Sequence, residues 1–133
     1  MLYAEPVPKA RPRMTKSGHT YTPKRTRDYE TYVANEWIRQ NGKTLMKGDI
    51  KLELVFGMKI PKSWSKEKEK KAILGYINPA TRPDTTNLIK AVEDGLNGVA
   101  YEDDKQIIDI RARKIYTPQP YTEIIIYEVT DGE

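Results

Sequence analysis

Acidic and basic side chains gather in one short stretch of the sequence, residues 82–106. Asp84 precedes a helical pattern, Lys90 lies one turn into it, and Asp103 and Asp104 follow its end. Carboxylates that converge from different elements can hold a metal ion, which polarises a phosphate and lowers the pKa of an attacking water. Lys90 would stand near a phosphate docked at the helix N-terminus, where free N–H groups attract anions. The joint pattern therefore predicts phosphodiester chemistry.

Each of these residues also has a purely structural interpretation. An aspartate before a helix often caps it, two aspartates before a strand often form a turn, and Lys90 can be an ordinary exposed lysine. Taken singly, these interpretations are preferred. Taken together, in this order and spacing, the residues favour a catalytic site.

Composition restricts the metal and the compartment. The chain has no cysteine and a single histidine, His19, so thiolate and histidine-rich zinc sites are excluded. A bound ion would be a hard, oxygen-liganded one, Mg²⁺ or alternatively Mn²⁺. No apolar stretch approaches the roughly 18 residues that cross a bilayer, and the N-terminus lacks the pattern of a secretory signal. We therefore expect a cytoplasmic protein without a membrane partner.

The N-terminal segment is strongly basic. Between residues 6 and 27 there are seven lysines and arginines and no acidic residue. Prolines and the pair Ser17-Gly18 predict an extended and then turning backbone, and His19 and Tyr21 interleave with the cations. Such a segment suits a nucleic-acid backbone with nearby bases, although a solvated basic surface is an equal alternative. The residues predicted to contact DNA are Lys9, Arg11, Arg13, Lys16, Lys24, Arg25 and Arg82.

Hydrophobic periodicity predicts one α/β domain over residues 1–133. Alternating apolar residues in 50–58 predict a strand, and Leu88, Ala91, Val92 and Leu96 predict a buried helical stripe. Thr85 or Thr86 is expected to cap that helix. The result is a compact domain with a mixed sheet of about four strands packed with helices. The expected strands are 1–7, 50–58, 106–116 and 121–129, and the expected helices are 23–40, 65–75 and 87–97.

The stretch from Arg82 to Gln106 resembles the RusA family of Holliday-junction resolvases, whose motif reads roughly D-x-D-N-L-x-K, then D-A-L, then D-D-x-Q. Here the corresponding segments are "DTTNLIK", "EDGL" and "EDDKQ", and the basic opening is also similar. The resemblance implies a small homodimeric, magnesium-dependent endonuclease, common in phages and prophages, that nicks opposed strands of four-way or branched DNA. It implies Asp84 and Asp104 as metal ligands and Lys90 as the catalytic lysine.

The sequence departs from that family pattern at Thr86, where the family usually has its second aspartate. Asp103 is the preferred direct third acid, because it adjoins Asp104. Glu93 shares a helix face with Thr86 and is expected to act as a helper, holding a metal-bound water. Asn87 is a further candidate for this supporting set.

Three functions remain open from the sequence. The leading one is a magnesium-dependent DNA endonuclease that resolves Holliday junctions in recombination and repair. The second is a branched-DNA-binding protein of the same fold that cuts weakly or not at all, because its acid set is incomplete. The third is an interaction module whose basic loop binds an acidic protein.

Overall fold

The computed structural model describes residues 1–129, which form three α-helices and two β-sheets. Within these residues, no helix is both long and apolar enough to cross a bilayer. The elements, in chain order, are β1 (Arg13–Met14), β2 (Thr20–Tyr21), α1 (Lys24–Asn41), β3 (Ile50–Lys59), α2 (Lys66–Ile73), α3 (Thr85–Leu96), a 3₁₀ turn (Asp104–Gln106), β4 (Ile107–Thr117) and β5 (Tyr121–Glu128).

The main sheet is mixed and has the strand order β4-β3-β5. The central strand β3 runs parallel to β4 and antiparallel to β5. Its alternate residues Leu52, Leu54 and Phe56 are buried, whereas Lys51 and Lys59 are exposed. This alternation confirms the predicted strand, because successive side chains of a strand point to opposite faces.

Helices α1 and α3 pack against each other and against the buried side of β3. Val33 of α1 and Leu88, Val92 and Leu96 of α3 belong to the same apolar core as the inward residues of β3. The helical stripe predicted from spacing is therefore confirmed as core. This packing holds α3, and with it Asp84 and Lys90, at a fixed place on the sheet.

One predicted feature of the N-terminal half was wrong. Residues 1–7 form no strand in the described structure and join the main sheet only through a bridge between Leu2 and Thr122. Prolines 6 and 8 lack the N–H groups that a strand would need to continue. The basic segment contains a two-stranded hairpin, in which Arg13 pairs with Tyr21, in agreement with the predicted extended and then turning backbone.

Gly95 marks a close approach between α1 and α3. A Cβ atom added there would lie 2.9 Å from Val33 Cβ and 3.1 Å from the carbonyl oxygen of Glu30. Neither atom is the end of a flexible side chain, so the helices would have to move apart.

Gly95→Ala is therefore expected to lower the free energy of unfolding. Overpacking costs about 1–3 kcal/mol, which exceeds the gain of about 1 kcal/mol in helix propensity. Urea denaturation measures the difference. Gly48→Ala is the control, because the nearest heavy atom to its added Cβ is 3.7 Å away. Greater stability of Gly95→Ala than of the wild type would contradict this account of the helix contact.

Candidate active site

Asp84 occupies the N-cap position of α3, in extended backbone conformation. Its carbonyl oxygen accepts the N–H groups of Asn87 and Leu88, at 3.1 and 3.2 Å, and so begins the helix. Its carboxylate makes no capping hydrogen bond and is exposed. The expectation that Thr85 or Thr86 caps this helix was thus wrong, because the chain turns into helical conformation one residue earlier. Asp84 therefore presents a carboxylate that the helix itself does not use.

Lys114 on β4 fixes the loop that leads into Asp84. Its ammonium group donates hydrogen bonds to the carbonyl oxygens of Thr81 and Pro83, each at 2.8 Å. These two bonds tie the entrance of α3 to the main sheet. Sequence reasoning missed this role, because nothing in the spacing of residues connects Lys114 to a loop more than 30 positions earlier.

The structure brings Lys90 and Asp104 together. The Lys90 ammonium lies 3.6 Å from Asp104 Oδ2 and 3.3 Å from Asp94 Oδ1. It therefore bridges the next turn of its own helix and residues 102–106, which we call the acidic turn. Partial burial lowers the pKa of Lys90, but the nearby carboxylates of Asp94 and Asp104 outweigh this effect and the net pKa is raised. Lys90 is consequently held as a cation beside Asp104, with half of its side chain exposed.

The acidic turn is held in place by Gln106. The Gln106 side-chain oxygen accepts the N–H groups of Glu102 and Asp103, and its amide nitrogen donates to the carbonyls of Met46 and Gly48 at 2.9 Å. The turn is thereby attached to the segment that precedes β3. These bonds give a physical reason for the glutamine of the D-D-x-Q motif.

Asp103 already has a structural partner. Its Oδ1 atom accepts the N–H of Lys105 at 2.9 Å and caps the 3₁₀ turn. The same backbone hydrogen bond lowers the pKa of Asp103 and keeps its carboxyl ionised. One carboxylate oxygen thus stabilises the turn. The preference for Asp103 as the third acid stays a prediction.

Glu93 and Thr86 both lie on α3, and the charges of Lys90, Asp94 and Asp104 act on the Glu93 carboxyl. Burial raises the pKa of Glu93, and the positive charge of Lys90 partly opposes the increase. The Glu93 carbonyl also accepts a hydrogen bond from the buried hydroxyl of Tyr101 at 2.8 Å. Thr86 is exposed. Among the described residues, Lys90 forms its ion pairs with Asp94 and Asp104, not with Glu93.

The predicted DNA contacts lie around the β1–β2 hairpin, at the start of α1 and in a cleft at the entrance of α3. Arg11, Arg13 and Lys16 are exposed in and around the β1–β2 hairpin. Lys24 is also exposed and pairs with Asp28 at 2.9 Å. An open cleft of about 470 Å³ brings the other predicted cations to the entrance of α3; its lining includes Lys9, Arg25, Arg82, Asp84 and Asn87.

The donor set suits Mg²⁺ chemically, although the described acids are not gathered into a cage. Within residues 1–129, no three acidic or histidine side chains are grouped closely enough to hold a metal ion by themselves. Mg²⁺ usually takes one or two carboxylates and completes its coordination with water and substrate phosphates. Asp84, which the helix does not use, and the partly exposed Asp104 are carboxylates of this kind.

Comparison with known proteins identifies the class that this fold and site define. The family described as "Endodeoxyribonuclease RusA" matches residues 4–127, and the chain belongs to this family. The chain is also 34% identical over 134 residues to "Uncharacterized protein YqaN" of Bacillus subtilis (strain 168), covering 97% of this chain and 94% of that protein. The resemblance seen in the motif is confirmed at the level of the family, and so is the α/β fold.

Proposed function

We propose that this protein is a magnesium-dependent, structure-specific DNA endonuclease that cuts four-way and other branched DNA. The observation that carries the proposal is the ion pair between Lys90, in the middle of α3, and Asp104, in the 3₁₀ turn that follows the helix. A cation that is held beside carboxylates suits a reaction in which negative charge increases on a phosphate. Membership of an endodeoxyribonuclease family supports the same reaction.

The proposed roles follow from chemistry and position. Asp84, Asp104 and Asp103 would hold Mg²⁺, which when bound polarises the scissile phosphate and makes a water molecule more acidic. Lys90, half exposed, donates a hydrogen bond to a non-bridging phosphate oxygen and stabilises the charge that develops there. Water is the nucleophile, so no covalent intermediate with the protein forms. Asn87 is exposed on the first turn of α3 and lines the cleft beside Asp84, where it can orient bound water.

The proposed substrate surface combines the hairpin with the cleft. The exposed cations of the hairpin contact phosphates at a distance from the cut, and Arg25 and Arg82 contact phosphates beside Asp84. Resolution of a four-way junction needs two symmetric cuts. We therefore propose a homodimer with two-fold symmetry, which sedimentation of the free protein can test.

The direct test is incubation of the protein with a synthetic four-way junction, with Mg²⁺ or with EDTA. A linear duplex of the same sequence is the control substrate. Paired nicks in opposed strands of the junction, formed only with Mg²⁺ and absent from the duplex, are the expected result. Failure to bind any DNA would instead favour the interaction module that binds an acidic protein.

A second candidate is a junction-binding protein that does not cut. Thr86 stands where the family pattern has an aspartate, and no ready group of three acids exists within the described residues. Tight binding of the junction with no nicks in either Mg²⁺ or Mn²⁺ would favour this function over the first.

Neutralising the hairpin is expected to weaken binding to all DNA. Each phosphate contact that Arg11, Arg13 and Lys16 make contributes about 0.9 to the slope of log affinity against log salt concentration. The triple substitution to glutamine should therefore flatten that slope for junction and duplex alike. Fluorescence anisotropy at several salt concentrations, in EDTA, measures it. An unchanged slope would place the DNA surface elsewhere on the molecule.

A further inference from the structure

A chain of ion pairs extends from Lys90 to the N-terminal segment. Asp94 Oδ1 lies 3.3 Å from the Lys90 ammonium, and Asp94 Oδ2 lies 3.1 Å from the Lys9 ammonium. Lys9 in turn lies 2.6 Å from Glu30 Oε1 on α1. With the contact between Lys90 and Asp104, five charges alternate in sign: Glu30, Lys9, Asp94, Lys90 and Asp104. The two oxygens of Asp94 are thus shared between two lysines.

Lys9 is anchored on both sides of this chain. Its backbone N–H donates to the Asn87 carbonyl at 2.8 Å, and the next N–H, of Ala10, donates to the buried Thr26 hydroxyl at 3.3 Å. These bonds attach the segment to both α3 and α1. Its side chain is 21% exposed, compared with 50% for Lys90. Lys9 is therefore poorly suited to bind a DNA phosphate, because its side chain is mostly buried and already paired.

The charges explain what this arrangement does to Lys90. Lysine has a long flexible stem, so its ammonium needs a partner to stay in one place. Asp94, one helical turn further on, is such a partner, because residues at i and i+4 lie on the same face. Lys9 contacts the other oxygen of Asp94 and so limits the movement of this carboxylate. The oxygen that Lys90 contacts therefore stays in a place from which the Lys90 ammonium also reaches Asp104.

We propose that Asp94 is a positioning residue that aims the Lys90 ammonium at the acidic turn, and that Lys9, held by Glu30, fixes Asp94 in the orientation this requires. The inference rests on the proposed function of the site. It assigns Lys9 an effect on the rate of cleavage, whereas a phosphate contact at this position would affect affinity for DNA.

Lys9→Met separates these two effects. In EDTA, the slope of log affinity for the junction against log salt concentration should be the same for Lys9→Met as for the wild type. For Arg13→Met, the magnitude of this slope should fall by about 0.9. In Mg²⁺ with protein in excess, the single-turnover cleavage rate of Lys9→Met should fall on the order of 10- to 100-fold, as displacement of a catalytic group does. Lys9→Arg should restore most of the rate. A lowered slope with an unchanged rate would overturn the inference and make Lys9 a phosphate contact.

A double-mutant cycle tests whether Asp94 acts through Lys90. Asp94→Asn alone should slow cleavage, but it should slow Lys90→Ala no further, because the group it positions is already absent. Multiplying losses would show an independent role and overturn the inference. Asp28→Asn is the matched control: it breaks the exposed i,i+4 pair with Lys24 and should leave the rate unchanged. Melting temperatures of all variants identify any that lose their fold.

Crystal structures provide a readout that does not depend on activity. In Asp94→Asn, the Lys90 ammonium should leave the 3.6 Å contact that it makes with Asp104. Retention of that contact in the same side-chain conformation would overturn the inference. A wild-type protein that cuts no junction would contradict the proposed function. The crystal structures would still test whether Asp94 positions Lys90, and the salt slope would still test whether Lys9 contacts phosphate.

Discussion

Cleavage of a four-way junction in Mg²⁺ is expected to fall by at least about 10³-fold when Asp84 or Asp104 is changed to asparagine. A metal ion contributes several kcal/mol of charge stabilisation to a transition state, and about 4 kcal/mol corresponds to this factor. Asparagine keeps the shape of the side chain but removes the charge that attracts the ion. Junction binding in EDTA should be unchanged or tighter, because a negative charge near the phosphates has been removed.

The control for these variants comes from the same acidic turn. Glu102→Gln removes one negative charge next to Asp103, and its side chain contacts only the exposed Lys47 at 3.9 Å among the described ion pairs. It should cut at close to the wild-type rate. Gel assays with protein in excess give the rates. Full cleavage by both Asp84→Asn and Asp104→Asn would show that neither carboxylate is a metal ligand.

Lys90→Ala is expected to slow the chemical step on the order of 10²-fold, the effect of removing one group that stabilises transition-state charge. Affinity for the junction should change little, because one phosphate contact is a small part of the total. The geometry strengthens this expectation: the Lys90 ammonium is already located 3.6 Å from Asp104, with part of its surface open to a substrate.

Lys105→Ala provides the comparison for Lys90. Lys105 follows Asp104 directly and is exposed, so it carries the same charge near the same turn. Its loss should affect the salt dependence of binding more than the rate at saturation. Equal losses of affinity and rate in Lys90→Ala would show that Lys90 is an ordinary contact with the DNA phosphate backbone.

The acidic turn illustrates how far the sequence alone could go. The run of acids, the central helix and the motif ending at Gln106 made it possible that the chain turns back beside Lys90, and the structure shows Asp104 in contact with Lys90. The same reasoning left open which acid takes the place of an aspartate at Thr86. Position along the chain does not fix the direction of a carboxylate at a turn. That direction depends on the hydrogen bond from Lys105 to Asp103, and on the anchoring of Gln106.

The sequence by itself determined the elements whose cause is local. Alternation in β3 and the helical stripe of α3 follow from burial of one face, and this information lies within ten or twelve consecutive residues. The motif around Asp84 and Lys90 is equally local, and it was sufficient to indicate the family.

Only the tertiary structure decided which distant residues support that site. Nothing in the sequence distinguishes Lys9 from the other basic residues of its segment. Packing of α1 against α3 places it between Glu30 and Asp94. Lys114 likewise gained its role from the pairing of β4 with β3, which sets its ammonium beside the loop before Asp84. Such contacts join residues far apart in the chain, so a local pattern of hydrophobic residues cannot predict them. They form because burial of the shared core fixes the helices and strands relative to one another.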